Sequence, residues 1–158
     1  MNVGKTFGDQ CREARMKAAA YNEKLATQAG AAELLDVGSP ETIGRWERDE
    51  AAPSNMNVRR MAQLYNAPEL LQNYCAMQCP IGCGRVNPCS GITLEQSTIR
   101  LFNEVDGIDA TAKTLLLIAA DGQVSKAEAD QFNAAVQKLG DIKTAITALQ
   151  MYAEKLNH

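Results

Sequence analysis

Two helix signals follow each other so closely in this chain that the backbone must reverse direction in a tight turn between them. The first helix begins near Gln28 and ends with the apolar pair Leu34 and Leu35. Only a few residues later, Ser39 is a preferred N-cap residue and Pro40 is suited to the first position of a helix. We therefore expect two short helices joined by a turn, the second running from Pro40 to about residue 49.

The composition of the whole chain favours helix almost throughout. Ala, Leu, Glu, Gln and Lys dominate and aromatic residues make up only 5%. Apolar residues reach 46%, which is enough for a core, but the longest apolar run, Leu115–Ala120, is far too short to span a bilayer. We predict an all-α, cytoplasmic protein without a membrane partner, since residues 1–5 carry no apolar leader.

Turn-forming residues divide the chain into three predicted parts. Residues 1–73 form an N-terminal domain of about five helices. Residues 74–92 are rich in Cys, Gly and Pro and are predicted to be a linker. Residues 93–158 form a small C-terminal bundle of about four helices. We expect this bundle either to dimerise the protein or to receive a signal.

Local signals place the helices of the C-terminal part. Capping boxes predict helices that start near Leu94 and Lys126. Residues 110–120 are largely apolar, so this helix is expected to be central and buried. Gly140 is expected to separate the last two helices, which would then form an antiparallel hairpin.

Several stretches of the N-terminal half resemble the Xre/Cro-type helix-turn-helix family of transcriptional regulators. The resemblance covers residues 5–70, and its most specific part is Ser-Pro-Glu-Thr-Ile-Gly-Arg-Trp-Glu, starting at Ser39 and followed by Pro53. It implies a DNA-binding domain of the repressor type that binds a palindromic operator as a homodimer. The matching stretches are Phe7–Arg15, Thr27–Leu35, Ser39–Arg48 and Val58–Tyr65.

The resemblance also implies roles for individual residues. The helix from Pro40 would enter the major groove, with Ile43 and Trp46 facing inward. Arg45 would then pair with the N7 and O6 atoms of guanine, and Thr42 would meet a thymine methyl group or a hydrogen-bonding base edge. An internal ion pair between Arg15 and Glu47, and a phosphate contact by Gln28, are further implications. The candidate DNA-binding residues are Gln28, Ser39, Glu41, Thr42, Arg45, Arg48 and Asn55.

Four cysteines fall within fifteen residues and form a second candidate site. Cys75, Cys79, Cys83 and Cys89 could hold zinc or an iron–sulfur cluster, although their spacing lacks the C-x2-C pairs of most structural zinc sites. The alternative is that they are small packing residues. The stretch Tyr74–Gly82 also resembles a linker that follows this domain in regulators of Gram-positive anaerobic bacteria.

The balance of charged residues is compatible with functions other than DNA binding. The net charge is −3, and residues 1–66 carry nine Lys or Arg and nine Asp or Glu, so no broad basic footprint is evident. One alternative is therefore a protein-interaction module, such as an antitoxin-like accessory protein of a mobile element. Another is a thiol- or metal-responsive sensor. An enzyme is not expected, because the chain lacks a Ser/His or Cys/His arrangement and a phosphate-binding glycine loop.

Overall fold

The computed structural model describes residues 4–89 and 93–157, and every regular element in these ranges is helical. The prediction of an all-α fold is thus confirmed. No helix in the described ranges is both long enough and apolar enough to cross a membrane. In chain order the elements are α1 (Phe7–Ala18), a 3₁₀ turn (Glu23–Ala26), α2 (Gln28–Leu35), α3 (Pro40–Glu47), α4 (Asn55–Leu64), α5 (Glu69–Met77), α6 (Leu94–Val105), α7 (Ile108–Ile118), a second 3₁₀ turn (Ala119–Asp121) and α8 (Ala129–Leu156).

The chain divides into two compact units. The N-terminal unit comprises residues 1–90 together with residues 154–158, and the C-terminal unit comprises residues 91–153. The N-terminal unit therefore includes the Cys/Gly/Pro-rich segment that the sequence set apart as a linker.

One apolar cluster holds α1 to α5 of the N-terminal unit together. Side chains that cap the helices set where the main elements begin: Thr6, Thr27, Ser39 and Ser54 each accept a hydrogen bond from a backbone N–H in the first turn. Each helix then turns its apolar face to the same interior. The largest fully buried side chains of that interior are Phe7, Leu25, Leu35, Ile43, Val58, Met61 and Leu70.

The C-terminal unit differs from the prediction in the number of its helices. Within the described residues it has three α-helices, because α8 runs without interruption through Gly140. The expected hairpin is therefore wrong. A helical glycine costs only about 1 kcal/mol relative to alanine, and here no proline follows it to end the helix. Half of the expected Ser125–Glu128 capping box forms, with Ser125 N donating to Glu128 Oε2 at 3.0 Å. The Ser125 hydroxyl donates to the same carboxylate oxygen, and α8 begins at Ala129 rather than near Lys126.

The predicted burial of residues 110–120 is also wrong. Leu116 and Leu117 on α7 are largely exposed, and Ile118 is the one buried residue of that helix. An apolar run shows which side chains could be buried, whereas burial itself depends on the elements that pack against them.

Replacing Gly140 by alanine is expected to raise the free energy of unfolding by about 0.5–1 kcal/mol, since alanine favours helix and a β-carbon there meets no atom within 4 Å. Denaturant unfolding followed by far-UV circular dichroism measures this. Gly122 is the matched control: it has the same open space but a φ of +76°, so alanine there should destabilise the protein. A loss of stability in Gly140→Ala would contradict a continuous α8.

Candidate nucleic-acid interface

The α2–α3 pair has a short connection and a firmly anchored second helix. Asp36 ends α2 in the left-handed conformation with φ 54°, and Ser39 caps α3 by accepting a hydrogen bond from Thr42 N at 3.4 Å. The Ser39 and Thr42 hydroxyl oxygens also lie 3.3 Å apart. Ile43 and Trp46 are buried in the core. The inner face of α3 is therefore fixed and its opposite face is open to solvent.

A buried ion pair joins α1 to the end of α3. Arg15 Nε lies 2.6 Å from Glu47 Oε1 and Arg15 Nη2 lies 3.1 Å from Glu47 Oε2. A third guanidinium nitrogen, Nη1, donates to the carbonyl oxygen of Leu25 at 2.8 Å. The expected pairing of Arg15 with Glu47 is thus confirmed, and it fixes how α3 is oriented against α1.

Gln28 lies beside α3, but its amide has an internal partner. Gln28 Nε2 donates to Glu47 Oε2 at 2.9 Å. Gly44 permits this close approach, because a β-carbon there would lie 3.1 Å from Gln28 Oε1 and 2.8 Å from Arg48 Nη1. A phosphate contact through the same amide nitrogen would have to replace the bond to Glu47.

The two arginines on the outer face of α3 have different surroundings. Arg45 is exposed, and within the described residues it has no hydrogen bond or ion pair. Arg48 is also exposed but is engaged on two sides: its Nε lies 2.7 Å from Glu50 Oε1, and its Nη2 lies 2.7 Å from Glu41 Oε1. Arg45 is therefore the more available cation for a ligand that approaches α3.

These contacts shift the protonation equilibria of the groups in them. The hydrogen bonds that Arg48 donates to Glu50, and then to Glu41, raise the pKa of Arg48 above its usual range. The hydrogen bond from Arg48 lowers the pKa of Glu50. Arg48 and Glu50 are thus charged at neutral pH.

Most of the predicted DNA-binding residues come together on one surface. Ser39, Glu41, Thr42, Arg45 and Arg48 belong to α3 or its caps, and Gln28 adjoins the middle of the same helix. Asn55 is exposed as the first residue of α4, where Ser54 provides the cap.

Glu50 forms an ion pair with Arg48 at this surface, and nothing in the sequence indicated that contact. It follows Asp49, whose φ of 56° turns the chain back toward the helix. An acidic residue two positions after an arginine does not face it along a helix, so no helical spacing signals this pair. The contact between Glu41 and Arg48 spans seven residues, or two helical turns, and that spacing could have indicated it.

No protein-family model, curated protein or solved structure matches this chain. The interpretation of the α3 surface therefore depends on its geometry and charges.

The cysteine-rich segment folds back onto α5. Asn73, which is buried, accepts a hydrogen bond from Cys89 N at 2.7 Å and donates one to Cys89 O at 2.8 Å. Gly82 packs directly on Cys75, since a β-carbon at Gly82 would lie 2.3 Å from the Cys75 carbonyl oxygen. Gln72 Nε2 also donates to the Asn87 carbonyl oxygen at 2.8 Å. The segment thus completes the N-terminal unit as a packed part of it.

The four predicted metal ligands of this segment have unequal exposure. Cys83 is exposed, Cys75 and Cys79 are half-buried, and Cys89 is buried. In the parts of the chain that the structure describes, no three His, Cys, Asp or Glu side chains are grouped as metal ligands would be. Zinc or iron–sulfur binding here stays a prediction. Cys11 is separate: burial, with the nearby Glu47 and Asp49 carboxylates, raises the pKa of its thiol to about 12, so it is an unreactive core residue.

Proposed function

We propose that this protein is a sequence-specific DNA-binding regulator of transcription, a repressor that binds a palindromic operator as a homodimer. In this proposal α2 and α3 form a helix-turn-helix, and α3 is the helix that enters the major groove. The observation that carries the proposal is the surface of α3. Its inner face is anchored by Ile43, Trp46 and the Glu47 ion pair, while the side chain of Arg45 is exposed and makes no hydrogen bond or ion pair with the residues that the structure describes.

The polar groups of α3 support base contacts at its N-terminal half. Thr42 is half-buried and is held near the helix start by its contact with Ser39. Backbone N–H groups at a helix start favour a phosphate oxygen, so the start of α3 can contact the DNA backbone while Arg45 contacts a base. Arg45 lies in the last turn of α3, and its guanidinium suits bidentate pairing with guanine.

The charge around Arg48 supports specific rather than general affinity for DNA. Glu41 and Glu50 form ion pairs with this arginine, and with Arg45 included the four formal charges of this face sum to zero. Few phosphates would therefore be neutralised on binding, and the dependence of the affinity on salt should be shallow. Discrimination between sequences would come mainly from direct contacts with bases.

Replacing Arg45 by alanine is expected to weaken binding to the preferred DNA site by about 1–3 kcal/mol and to relax the preference at one base pair. The site is first obtained by selecting bound duplexes from random DNA with the purified full chain at near-physiological salt. Titrations of the parent and Arg45→Ala with that site, and with sites altered one base pair at a time, measure both effects.

Arg85→Ala is the matched control, because Arg85 is an exposed arginine of the cysteine-rich segment, which packs on α5. It should bind the selected site as the parent does. Equal affinities of Arg45→Ala and the parent would reject the role of Arg45. Recovery of no preferred site from folded protein would reject the proposed function.

A second candidate function is a protein-interaction module of the antitoxin or accessory type. The carboxylates of Glu41 and Glu50 favour it, since they flank the same surface and repel phosphate. Under this function the selection would recover no DNA site, and Glu41→Gln with Glu50→Gln would not create one.

A further inference from the structure

The turn after α3 folds the chain back onto that helix. Asp49 ends the helix in the left-handed conformation with a φ of 56°, and its N–H donates to the Trp46 carbonyl oxygen at 3.2 Å. Asp49 Oδ1 accepts a hydrogen bond from Gly8 N at 2.9 Å, which fastens the turn to the start of α1. The backbone of the next residue, Glu50, is therefore held in place by the fold of the N-terminal unit.

Arg48 lies along the outer side of α3 between two carboxylates. Its Nε and Nη2 atoms donate to the two oxygens of Glu50 at 2.7 Å and 3.1 Å, and Nη2 also donates to Glu41 Oε1 at 2.7 Å. Its third nitrogen, Nη1, lies over Gly44, 2.8 Å from the position of a β-carbon there. Because bidentate pairing fixes the plane of a guanidinium, the Arg48 side chain has a defined orientation on the helix.

The group formed by Glu41, Arg48 and Glu50 shares the face of α3 that carries Arg45. Glu41, Arg45 and Arg48 follow each other at spacings of four and three residues, which places them on one side of the helix. All of these side chains are exposed. A DNA duplex that contacts Arg45 would therefore come close to the two carboxylates as well.

An arginine that is held in this way is a poor phosphate ligand. A free arginine on a DNA-binding surface neutralises a phosphate and releases counterions, which raises the affinity for every sequence. A phosphate that approached Arg48 would have to displace Glu50 from its bidentate pair. It would also approach the carboxylates of Glu41 and Glu50, and two carboxylates beside one guanidinium repel a further anion.

We infer that Glu50 is a specificity-determining residue of the α3 surface, because it holds Arg48 away from DNA phosphates and so lowers the affinity for DNA that lacks the preferred site. Glu41 assists from the other side of the guanidinium. Specificity is a difference between two affinities, and a repulsive group increases it by weakening the unwanted complex. This inference rests on the proposed function and adds to it a residue that suppresses binding to other sequences.

The unwanted complex is the one that a free Arg48 would stabilise most. In the specific complex the contact between Arg45 and a base fixes the register, and hence the distance from Arg48 to the nearest phosphate. A complex with an unrelated sequence has no fixed register and can shift until its cations meet phosphates. Release of Arg48 should therefore strengthen binding to unrelated DNA more than binding to the preferred site.

A structural role alone would leave DNA binding unchanged. The side chains of Arg48 and Glu50 are 48% and 49% exposed, and an exposed ion pair contributes little to the stability of a fold. We therefore expect Glu50→Gln to fold as the parent does, which Trp46 fluorescence during urea unfolding checks. Its effect should appear in the affinity for DNA and in the dependence of that affinity on salt.

Titrations of the full chain with a random-sequence duplex, and with the site selected by the parent, test the inference at salt concentrations from about 50 to 200 mM. Glu50→Gln is expected to bind the random duplex roughly threefold to tenfold more tightly than the parent. The slope of log Kd against log salt concentration should steepen by about 0.9, the value for one added phosphate contact. The ratio of the two affinities should fall. Adding Arg48→Met to this variant restores the net charge of the parent and should reverse both changes.

Glu104→Gln is the matched control. Glu104 Oε2 also forms an ion pair, 3.4 Å from Lys138 Nζ, but it belongs to the C-terminal unit. This variant therefore releases a cation and changes the net charge by the same amount, and its slope should equal that of the parent. An equal gain in Glu104→Gln overturns the inference, and so does a gain in Glu50→Gln that persists after Arg48→Met.

Failure of the inference and failure of the proposed function give different results. If a preferred site is recovered but Glu50→Gln has the affinity and slope of the parent for the random duplex, the inference alone is rejected. If no preferred site is recovered but Glu50→Gln binds the random duplex more tightly through Arg48, the suppression of phosphate binding stands and the proposed function is rejected. Folded parent and variant that both bind no duplex reject the two together.

Discussion

Replacing Arg15 by methionine is expected to lower the free energy of unfolding of the N-terminal unit by about 3–5 kcal/mol. Arg15 and Glu47 are 4% and 5% exposed in their side chains. Without the guanidinium, the Glu47 carboxylate stays buried and keeps, among the described residues, the Gln28 amide as its hydrogen-bond partner. The Leu25 carbonyl oxygen also loses its donor, Arg15 Nη1.

Trp46 provides the measurement. It is the single tryptophan of the chain and is buried in the core of the N-terminal unit. Its fluorescence during urea titration therefore reports the unfolding of that unit. The double variant Arg15→Met, Glu47→Leu should recover most of the loss, since removing both charges leaves no ion without a partner.

An exposed ion pair provides the control for this experiment. Lys24 Nζ and Glu33 Oε1 are 2.7 Å apart, close to the distance of the buried pair, but their side chains are 57% and 65% exposed. Lys24→Met is expected to cost less than about 1 kcal/mol, because water screens an exposed pair. A similarly small cost for Arg15→Met would contradict the buried pairing that orients α3.

Where a helix begins with a capping residue, the sequence alone predicted its starting position. Ser39 and Pro40 placed the start of α3 correctly, and Thr93 did so for α6, because an N-cap acts on N–H groups of the same turn. The prediction that Arg45 is exposed also holds, since buried Ile43 and Trp46 fix the inner face of a regular helix.

Predictions that depended on tertiary packing were less successful. Leu116 and Leu117 form an apolar run but face solvent, and the run contains no information about which element covers it. The partners of Arg48 and Gln28 depend on how the turn after α3 and the close approach of α2 place Glu50 and Glu47. Helical spacing within one element cannot predict such contacts.

Replacing Gly30 by alanine is expected to destabilise the N-terminal unit by about 3 kcal/mol, at the upper end of the usual cost of overpacking. Gly30 lies in the first turn of α2, where its N–H donates to Thr27 Oγ1 at 3.1 Å. A β-carbon there would lie 2.0 Å from the carbonyl oxygen of Lys24 and 2.7 Å from its carbonyl carbon. Both are backbone atoms, so no side-chain rotation relieves the clash.

Whether Gly30→Ala lowers or raises the free energy of unfolding distinguishes the effect of close packing from that of helix propensity. Propensity alone predicts that alanine stabilises α2 by up to about 1 kcal/mol, whereas the contact with Lys24 predicts a loss. Gly38 is the control, since it precedes α3 with no atom within 4 Å of a β-carbon, and alanine there should change stability by less than about 1 kcal/mol. Trp46 fluorescence during urea unfolding measures both variants. A stabilising Gly30→Ala would mean that α2 does not lie against the 3₁₀ turn. A loss confined to Gly30→Ala would show that this contact sets the position of α2, and hence the approach of Gln28 to α3.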